Sequence, residues 1–124
     1  MMLPKGTYFI GDPCYVIPDK QWKKYCRDVF GIDNSGVTPN PEEFLGVPIF
    51  QSGTRHGDGC YTDGFDDYGV DSGTIGATPK KLWDKKVSKY EMERLGRVIT
   101  FKHSVEAYAE DGRFFIGDIE IDTN

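Results

Sequence analysis

The chain has 124 residues, of which 15 are Lys or Arg and 20 are Asp or Glu, giving a formal net charge of -5 at pH 7. This length suits one domain with a real hydrophobic core, which we place over residues 1–124. Charged residues make up 28% of the chain and apolar runs are short, which excludes an integral membrane protein. The acidic balance argues against general nucleic-acid binding, because phosphate backbones attract basic surfaces.

Three cysteines, Cys14, Cys26 and Cys60, leave one unpaired after any single disulfide. None lies in a Cys-x-x-Cys motif, and no secretory leader pattern precedes them. We therefore expect reduced thiols and a cytoplasmic location in a bacterial host.

The first predicted element is a strand from Thr7 to Ile10, since β-branched and aromatic residues favour strands. Gly11, Asp12 and Pro13 predict a bend. The residues from Cys14 to Ile17 predict a second strand, which Pro18 ends.

An amphipathic helix is predicted over residues 19–30, capped by Asp19 and ending at Gly31. Its apolar positions recur at helical spacing, with Trp22 as the largest buried side chain. These positions are Trp22, Cys26, Val29 and Phe30. The lysines on the remaining arc are expected to form the solvent-exposed face of this helix.

Shorter elements are predicted from the same rules. They are a loop at 33–40, a short helix from Asn40 to near Gly46, strands at Val47–Gln51, Cys60–Thr62 and Tyr68–Val70, and short helices after Pro79 (with Leu82 and Trp83) and after Ser88.

The C-terminal part predicts a β-hairpin, in which Val98–Ala109 and Phe114–Ile121 flank the turn Asp111-Gly112. Asp-Gly suits a two-residue type I′ turn, which pairs Glu110 with Arg113. His103 would lie on the apolar face of this hairpin. To keep Ile119 and Ile121 on that face, a bulge is predicted at Gly117-Asp118.

Together these elements predict an α+β fold. We expect a mostly antiparallel, curled sheet or small barrel, with one main helix at about 19–30 packed on it and a C-terminal hairpin.

The segment Gly-Thr-Tyr-Phe-Ile-Gly-Asp-Pro-Cys-Tyr-Val-Ile, residues 6–17, resembles the opening of small uncharacterised phage and bacterial proteins. Their later signature is similar to Gly-Val-Asp-Ser-Gly-Thr-Ile-Gly at 69–76, and the Asp-Gly hairpin is similar to theirs as well. The resemblance implies a compact β-rich fold and a phage origin. It carries no activity and no site residue.

Gly-Asp recurs at residues 11–12, 57–58 and 117–118, where the pair is typical of turns. Such bends could also bring carboxylates together for Ca²⁺ or Mg²⁺. The weak metal candidates are Asp12, Asp58, Asp63 and Asp71, with Asp66 and Asp67 in the same segment. Cys14, His56 and Cys60 form a weaker zinc set, which lacks a fourth ligand unless Asp12 or Asp58 serves as one.

A cysteine nucleophile would need a base, and Cys14 or Cys60 with His56 or His103 meets that requirement in principle. No known catalytic motif accompanies them, so we assign no catalytic residue. No cofactor is required by the sequence.

The remaining candidates are cations and rings that suit a flat anion by charge and stacking. The ligand-binding candidates are Arg55, His56, Tyr61, Tyr15, Lys80, Lys81 and Trp83. The same rings would serve equally well as core.

We therefore expect a non-enzymatic phage-type accessory protein that binds a small anionic, nucleotide-like ligand, such as a signal of host defence, and that forms a homo-oligomer. Small phage proteins of this kind often soak up such signals or block a host protein. One alternative is thus an inhibitor that binds a host protein through a surface patch. Another is a metal-dependent hydrolase built on the Asp-rich segment 58–71.

Overall fold

The fold is built from short antiparallel strands and a few helical segments. The computed structural model describes residues 1–32 and 39–124, so most of the predicted loop at 33–40 lies outside the described residues. The strands are β1 (Met2–Leu3), β2 (Gly6–Gly11), β3 (Glu43–Phe44), β4 (Val47–Pro48), β5 (Phe50–Gly53), β6 (Gly59–Thr62), β7 (Asp67–Val70), β8 (Thr74–Pro79), β9 (Arg97–Phe101), β10 (Val105–Glu110), β11 (Arg113–Ile116) and β12 (Ile119–Asp122). The helices are α1 (Asp19–Tyr25), continued by a π-helical segment (Cys26–Phe30), and α2 (Lys89–Leu95), with 3-10 turns at Pro13–Tyr15 and Lys80–Leu82.

The strands form two larger sheets and one small hairpin. The first sheet has six strands in the order β1-β10-β11-β12-β6-β7, and the second has four in the order β5-β8-β2-β9. Among the described residues, β3 and β4 pair only with each other. Every pairing between these strands is antiparallel, and both large sheets stay open. This confirms the α+β prediction in its curled-sheet form.

The main core lies where the two larger sheets face each other, and β2 shows how the sequence produces it. Alternate strand residues point to opposite faces. Tyr8 and Ile10 therefore pack with Phe114 and Ile116 in this core, whereas Phe9 packs with Met92 of α2 on the other face. The four-stranded sheet is thus covered on both sides.

The predicted helix at 19–30 is confirmed, as α1 and the π-helical segment span those residues. Gly31 ends it with φ at 80°, a conformation that glycine adopts without strain. The expected cap is wrong, because Pro18 occupies that position and Asp19 is already helical. Tyr25, not Trp22, is the fully buried ring. It stacks on Trp22, with ring centroids 5.3 Å apart, and meets Phe44 edge-on.

The predicted helix from Asn40 to Gly46 is wrong, since this segment forms the β3–β4 hairpin. Leu45 and Gly46 both have positive φ, which gives the two-residue turn of a tight hairpin. Phe44 is buried against the helix at 19–30. This contact outweighs the local preference of residues 40–43 for the start of a helix. The predicted strand from Val47 to Gln51 is interrupted at Ile49, between β4 and β5.

The predicted strand from Cys14 to Ile17 is also wrong. Asp12 accepts a hydrogen bond from the Cys14 amide at 2.9 Å, and Pro13 begins a 3-10 turn. By contrast, the strands near Tyr61 and Tyr68 and the helices after Pro79 and Ser88 are confirmed.

At the C-terminal end, the Asp111-Gly112 turn is confirmed with its predicted register, Glu110 opposite Arg113. The long first strand is wrong, because β9 pairs with β2 and β10 pairs with β1 and β11, in different sheets. His103 lies in the exposed link between β9 and β10, not on an apolar face.

The predicted bulge at Gly117-Asp118 is wrong as well. These residues form a second two-residue turn, with Ile116 opposite Ile119. Gly117 has φ at 57°, as a turn that begins with glycine requires. A reversal of the chain, rather than an inserted residue, therefore keeps Ile119 and Ile121 in the core.

Candidate functional site

A groove of 650 Å³ lies between the start of α1 and the segment that follows the 3-10 turn at Lys80–Leu82. We call it the lysine groove. It is lined by Pro18, Asp19, Lys20, Gln21, Lys81, Leu82, Trp83, Asp84, Lys85 and Lys86. Its volume lies in the range of small-molecule sites.

Local hydrogen bonds fix one wall of the lysine groove. The indole Nε1 of Trp83 donates to the Thr78 carbonyl at 2.9 Å. The Asp84 amide donates to the Val16 carbonyl at 2.7 Å, which ties this wall to the segment before α1. The Asp84 carboxylate accepts from the Lys86 amide at 2.9 Å, so the turn that carries the lysines is held in one shape.

The lysine groove is locally positive in an acidic protein. Lys20, Lys81, Lys85 and Lys86 line it, against the carboxylates of Asp19 and Asp84. Over residues 1–32 and 39–124, none of these four ammonium groups forms an ion pair with a carboxylate. Their charge therefore remains available to an anion, with the half-buried Trp83 ring beside it.

Of the seven predicted ligand-binding residues, Lys81 and Trp83 meet in the lysine groove. Lys80 lies in an adjacent, smaller pocket of 290 Å³, which Lys81 also lines. The other four, Arg55, His56, Tyr61 and Tyr15, do not line either cavity. Lys20 was missed because only the fold joins α1 to the later segment. Lys85 and Lys86 were missed although they follow Trp83 by two and three residues, a closeness in sequence that could have revealed them.

Arg55 lines a separate cavity of 380 Å³ with Arg113 and Phe115. Its Nε donates to Asn124 Oδ1 at 3.0 Å, and Arg113 Nε lies 3.7 Å from an Asp122 carboxylate oxygen. The Arg55 guanidinium thus has a hydrogen-bond acceptor and that of Arg113 a weak carboxylate partner, whereas the lysines of the groove have no carboxylate partner among the described residues. The lysine groove is therefore the better anion site.

The Tyr61 hydroxyl donates to the Gly57 carbonyl at 2.8 Å and so closes the turn that bears His56, which is exposed. The Tyr15 hydroxyl donates to Asp71 Oδ2 at 2.7 Å. Burial, followed by this hydrogen bond, raises the pKa of Tyr15. Each tyrosine therefore fastens a loop.

Asp12 is the centre of a buried polar network. Its side chain is fully buried and accepts from the amides of Cys14, Asp71 and Ser72 and from the Ser72 hydroxyl, at 2.6 to 2.9 Å. This carboxylate ties the bend after β2 to the turn between β7 and β8. Its oxygens are occupied by donors rather than open to a ligand.

Two of the three Gly-Asp bends come together at this network. A carboxylate oxygen of Asp58 lies 3.9 Å from the position that a Cβ would take at Gly73, next to Ser72. The third bend is elsewhere, since Gly117 lies against Phe101 and Val105.

The other metal candidates are dispersed. Asp63 accepts from the Phe65 and Asp66 amides and from the Tyr68 hydroxyl, at 2.7 to 2.8 Å. Burial raises its pKa, but these hydrogen bonds outweigh burial and hold the pKa below its usual value. Within the described residues, no three His, Cys, Asp or Glu side chains are arranged to hold a metal ion.

All three cysteines are free thiols, and Cys60 is exposed. Burial, and then the carboxylate of Asp12, raises the pKa of Cys14 far above its usual value. Because the thiolate is the nucleophilic form, Cys14 is unsuited to covalent catalysis at neutral pH.

Comparison of the chain with protein-family models, curated proteins and solved structures finds no match. The resemblance to phage proteins therefore stays a prediction. No helix in the described parts of the chain has the length and apolar character needed to cross a membrane.

Proposed function

We propose that this protein binds a small anionic, nucleotide-like ligand in the lysine groove and does not transform it. The observation that carries the proposal is the set of four lysines without carboxylate partners among the described residues, placed around Trp83. Ammonium groups would neutralise phosphate charge, and the indole offers an aromatic face to a base. The raised pKa of Cys14 argues against this thiol as a nucleophile.

The biological role we propose with it is that of a phage accessory protein that sequesters a host-defence signal. Its support is the resemblance of residues 6–17 and 69–76 to phage proteins. Sequestration needs only a site and no turnover, which agrees with a groove that offers charge and a ring.

The test is titration of ATP, ADP and pyrophosphate into Trp22→Phe protein, in which Trp83 is the one tryptophan left. We expect the nucleotides to change Trp83 fluorescence. The pair Lys85→Ala and Lys86→Ala should weaken binding about a hundredfold or more, since each of the two lost charge-assisted hydrogen bonds costs about 1.5–3 kcal/mol.

The matched control is the pair Lys23→Ala and Lys102→Ala, which removes the same charge from exposed positions outside the groove. It should leave affinity unchanged, as should Arg55→Ala and Tyr61→Ala. Loss of affinity in the Arg55 and Tyr61 variants alone would move the site to that region. Binding that survives loss of Lys85 and Lys86, or no binding by any of the three probes, would refute the proposal.

A second candidate is inhibition of a host protein through a surface patch, and one observation favours it. Tyr108 and Phe115 stack on the outer face of the six-stranded sheet, with centroids 4.7 Å apart, and Tyr108 is 40% exposed. Exposed aromatic residues of this kind serve as anchors in protein interfaces. A host protein retained by the wild type and released by Tyr108→Lys would support this candidate over the first.

A further inference from the structure

Phe65 is the most exposed large hydrophobic residue among those described, with 95% of its surface in solvent. It lies at the tip of the β6–β7 hairpin, between Thr62 and Asp67. A whole phenyl ring in water is unfavourable, because the hydrophobic effect favours removing apolar surface from water. Such a ring gains most by entering an apolar pocket.

The loop that carries Phe65 is held in one conformation. Asp63 Oδ1 accepts from the Phe65 amide at 2.8 Å and from the Asp66 amide at 2.7 Å. The Thr62 hydroxyl accepts from the Gly64 amide at 3.0 Å and donates to the Asp66 carbonyl at 2.9 Å. A loop ordered in advance loses little entropy on docking, so its ring can serve as an anchor.

The charge beside Phe65 restricts what can receive it. Asp66 and Asp67 follow it directly, and both are exposed. The Asp66 carboxylate lies 3.9 Å from Arg97 Nε, at a distance that gives only a weak surface pair. A fitting pocket is therefore apolar inside and basic at its rim.

This chain itself contains such a pocket, the one of 290 Å³ that Lys80 and Lys81 line, which we call the proline pocket. Its apolar wall includes Val47, Pro48 and Pro79, and Lys5 joins the two other lysines at the rim. An apolar cavity of about 150 Å³ already holds benzene, so the volume is sufficient for a phenyl ring.

We infer that this chain self-associates by inserting Phe65 of one copy into the proline pocket of a second copy, where Asp66 and Asp67 meet Lys80 and Lys81. The contact joins two different surfaces. In an open assembly, one terminal copy keeps a free hairpin and the other a free pocket, whereas a closed ring leaves neither. This inference goes beyond ligand binding, because it uses the proline pocket, which shares only Lys81 with the lysine groove.

The experiment is sedimentation velocity of the full chain over about a hundredfold range of concentration, since mass action makes association visible as concentration rises. The wild type should shift towards larger species, and Phe65→Ala should remain monomeric throughout. Tyr90→Ala, which removes another exposed ring, is the matched control and should behave as the wild type does.

Charge reversal tests the pairing itself. Asp66→Lys with Asp67→Lys, and separately Lys80→Glu with Lys81→Glu, should each abolish self-association. Mixing these two variants should restore it, because a basic hairpin then meets an acidic pocket and an acidic hairpin meets a basic one. Lys85→Glu with Lys86→Glu changes the net charge equally outside the proline pocket and should leave association intact.

A wild type that stays monomeric at every concentration would overturn the inference. So would a Phe65→Ala variant that associates as the wild type does, a mixture of the two reversed variants that fails to associate, or an equal loss in the Lys85 and Lys86 control.

Discussion

Asp12 illustrates how far a single residue can be interpreted from sequence. Its place in Gly-Asp-Pro predicts a bend correctly, and the same residue type suggests a metal ligand. Only the fold brings the Asp71 and Ser72 amides to it, from some sixty positions further along the chain. The side chain therefore joins two loops, and that role depends on partners that the local sequence does not identify.

The first prediction concerns this network. Asp12→Ala leaves the partly buried amides of Asp71 and Ser72 without their acceptor, and each donor left unsatisfied away from water costs about 1–3 kcal/mol. We expect the free energy of unfolding in urea to fall by about 3 kcal/mol or more. Asp118→Ala removes the aspartate of another Gly-Asp pair at an exposed turn and should change the free energy by less than about 0.5 kcal/mol. Equal losses in the two variants would contradict this role of Asp12.

At the scale of secondary-structure elements, the sequence predicts those elements that depend on residues close together along the chain. The Asp111-Gly112 turn and the helix at 19–30 follow from turn chemistry and from periodicity, and both are confirmed. The long strand from Val98 to Ala109 fails because both halves carry strand-like residues but pair in different sheets. The β3–β4 hairpin is missed because Phe44 is fixed by its contact with Tyr25, far from it in sequence.

The second prediction concerns the close approach of β5 and β8. A Cβ at Gly76 would overlap the Phe50 carbonyl oxygen, which belongs to the backbone of the paired strand and cannot rotate away. Gly76→Ala should therefore separate the two strands and lower the free energy of unfolding by about 3 kcal/mol, at the upper end of overpacking costs.

Gly53→Ala on β5 is the matched control, since its Cβ would meet only the Gly73 carbonyl oxygen at 3.9 Å, an ordinary contact. It should keep the urea midpoint near that of the wild type. Failure of Gly76→Ala to yield folded protein would agree with the prediction, whereas a midpoint equal to that of Gly53→Ala would refute it.

At the scale of the whole molecule, the fold sorts charge in a way that composition hides. A chain with net charge -5 gathers four lysines at the lysine groove, and three of them, Lys81, Lys85 and Lys86, lie within three residues of Trp83 in sequence. Sequence reasoning included Lys81 and Trp83, which lie close together along the chain, but left out Lys85 and Lys86, which also lie close to Trp83. It placed Arg55 and Tyr61 with them, because residue type alone cannot assign residues to one cavity or another.

The last prediction is that alkali destabilises the whole molecule. Burial raises the pKa of Tyr25. Burial, followed by a hydrogen bond to Asp63, raises the pKa of Tyr68, and burial also raises the pKa of the Cys14 thiol. In each group the neutral form is favoured in the folded state. The resulting stability is fully present below the unfolded pKa, about 8.5 for a thiol and about 10 for a phenol, and is lost as pH rises towards the folded value.

The free energy of unfolding in urea should therefore be flat near neutral pH and fall from about pH 9 upward. Tyr25→Phe removes one such group from the core, so the fall above about pH 10 should become shallower by up to about 1.4 kcal/mol per pH unit. Tyr90→Phe, at an exposed ring, is the control and should follow the wild-type curve. A Tyr25→Phe curve that stays parallel to the wild-type curve up to pH 11, about one unit above the pKa of tyrosine in the unfolded chain, would contradict the prediction. It would show that the Tyr25 hydroxyl titrates alike in the folded and unfolded states, despite its burial beneath Trp22 and Phe44.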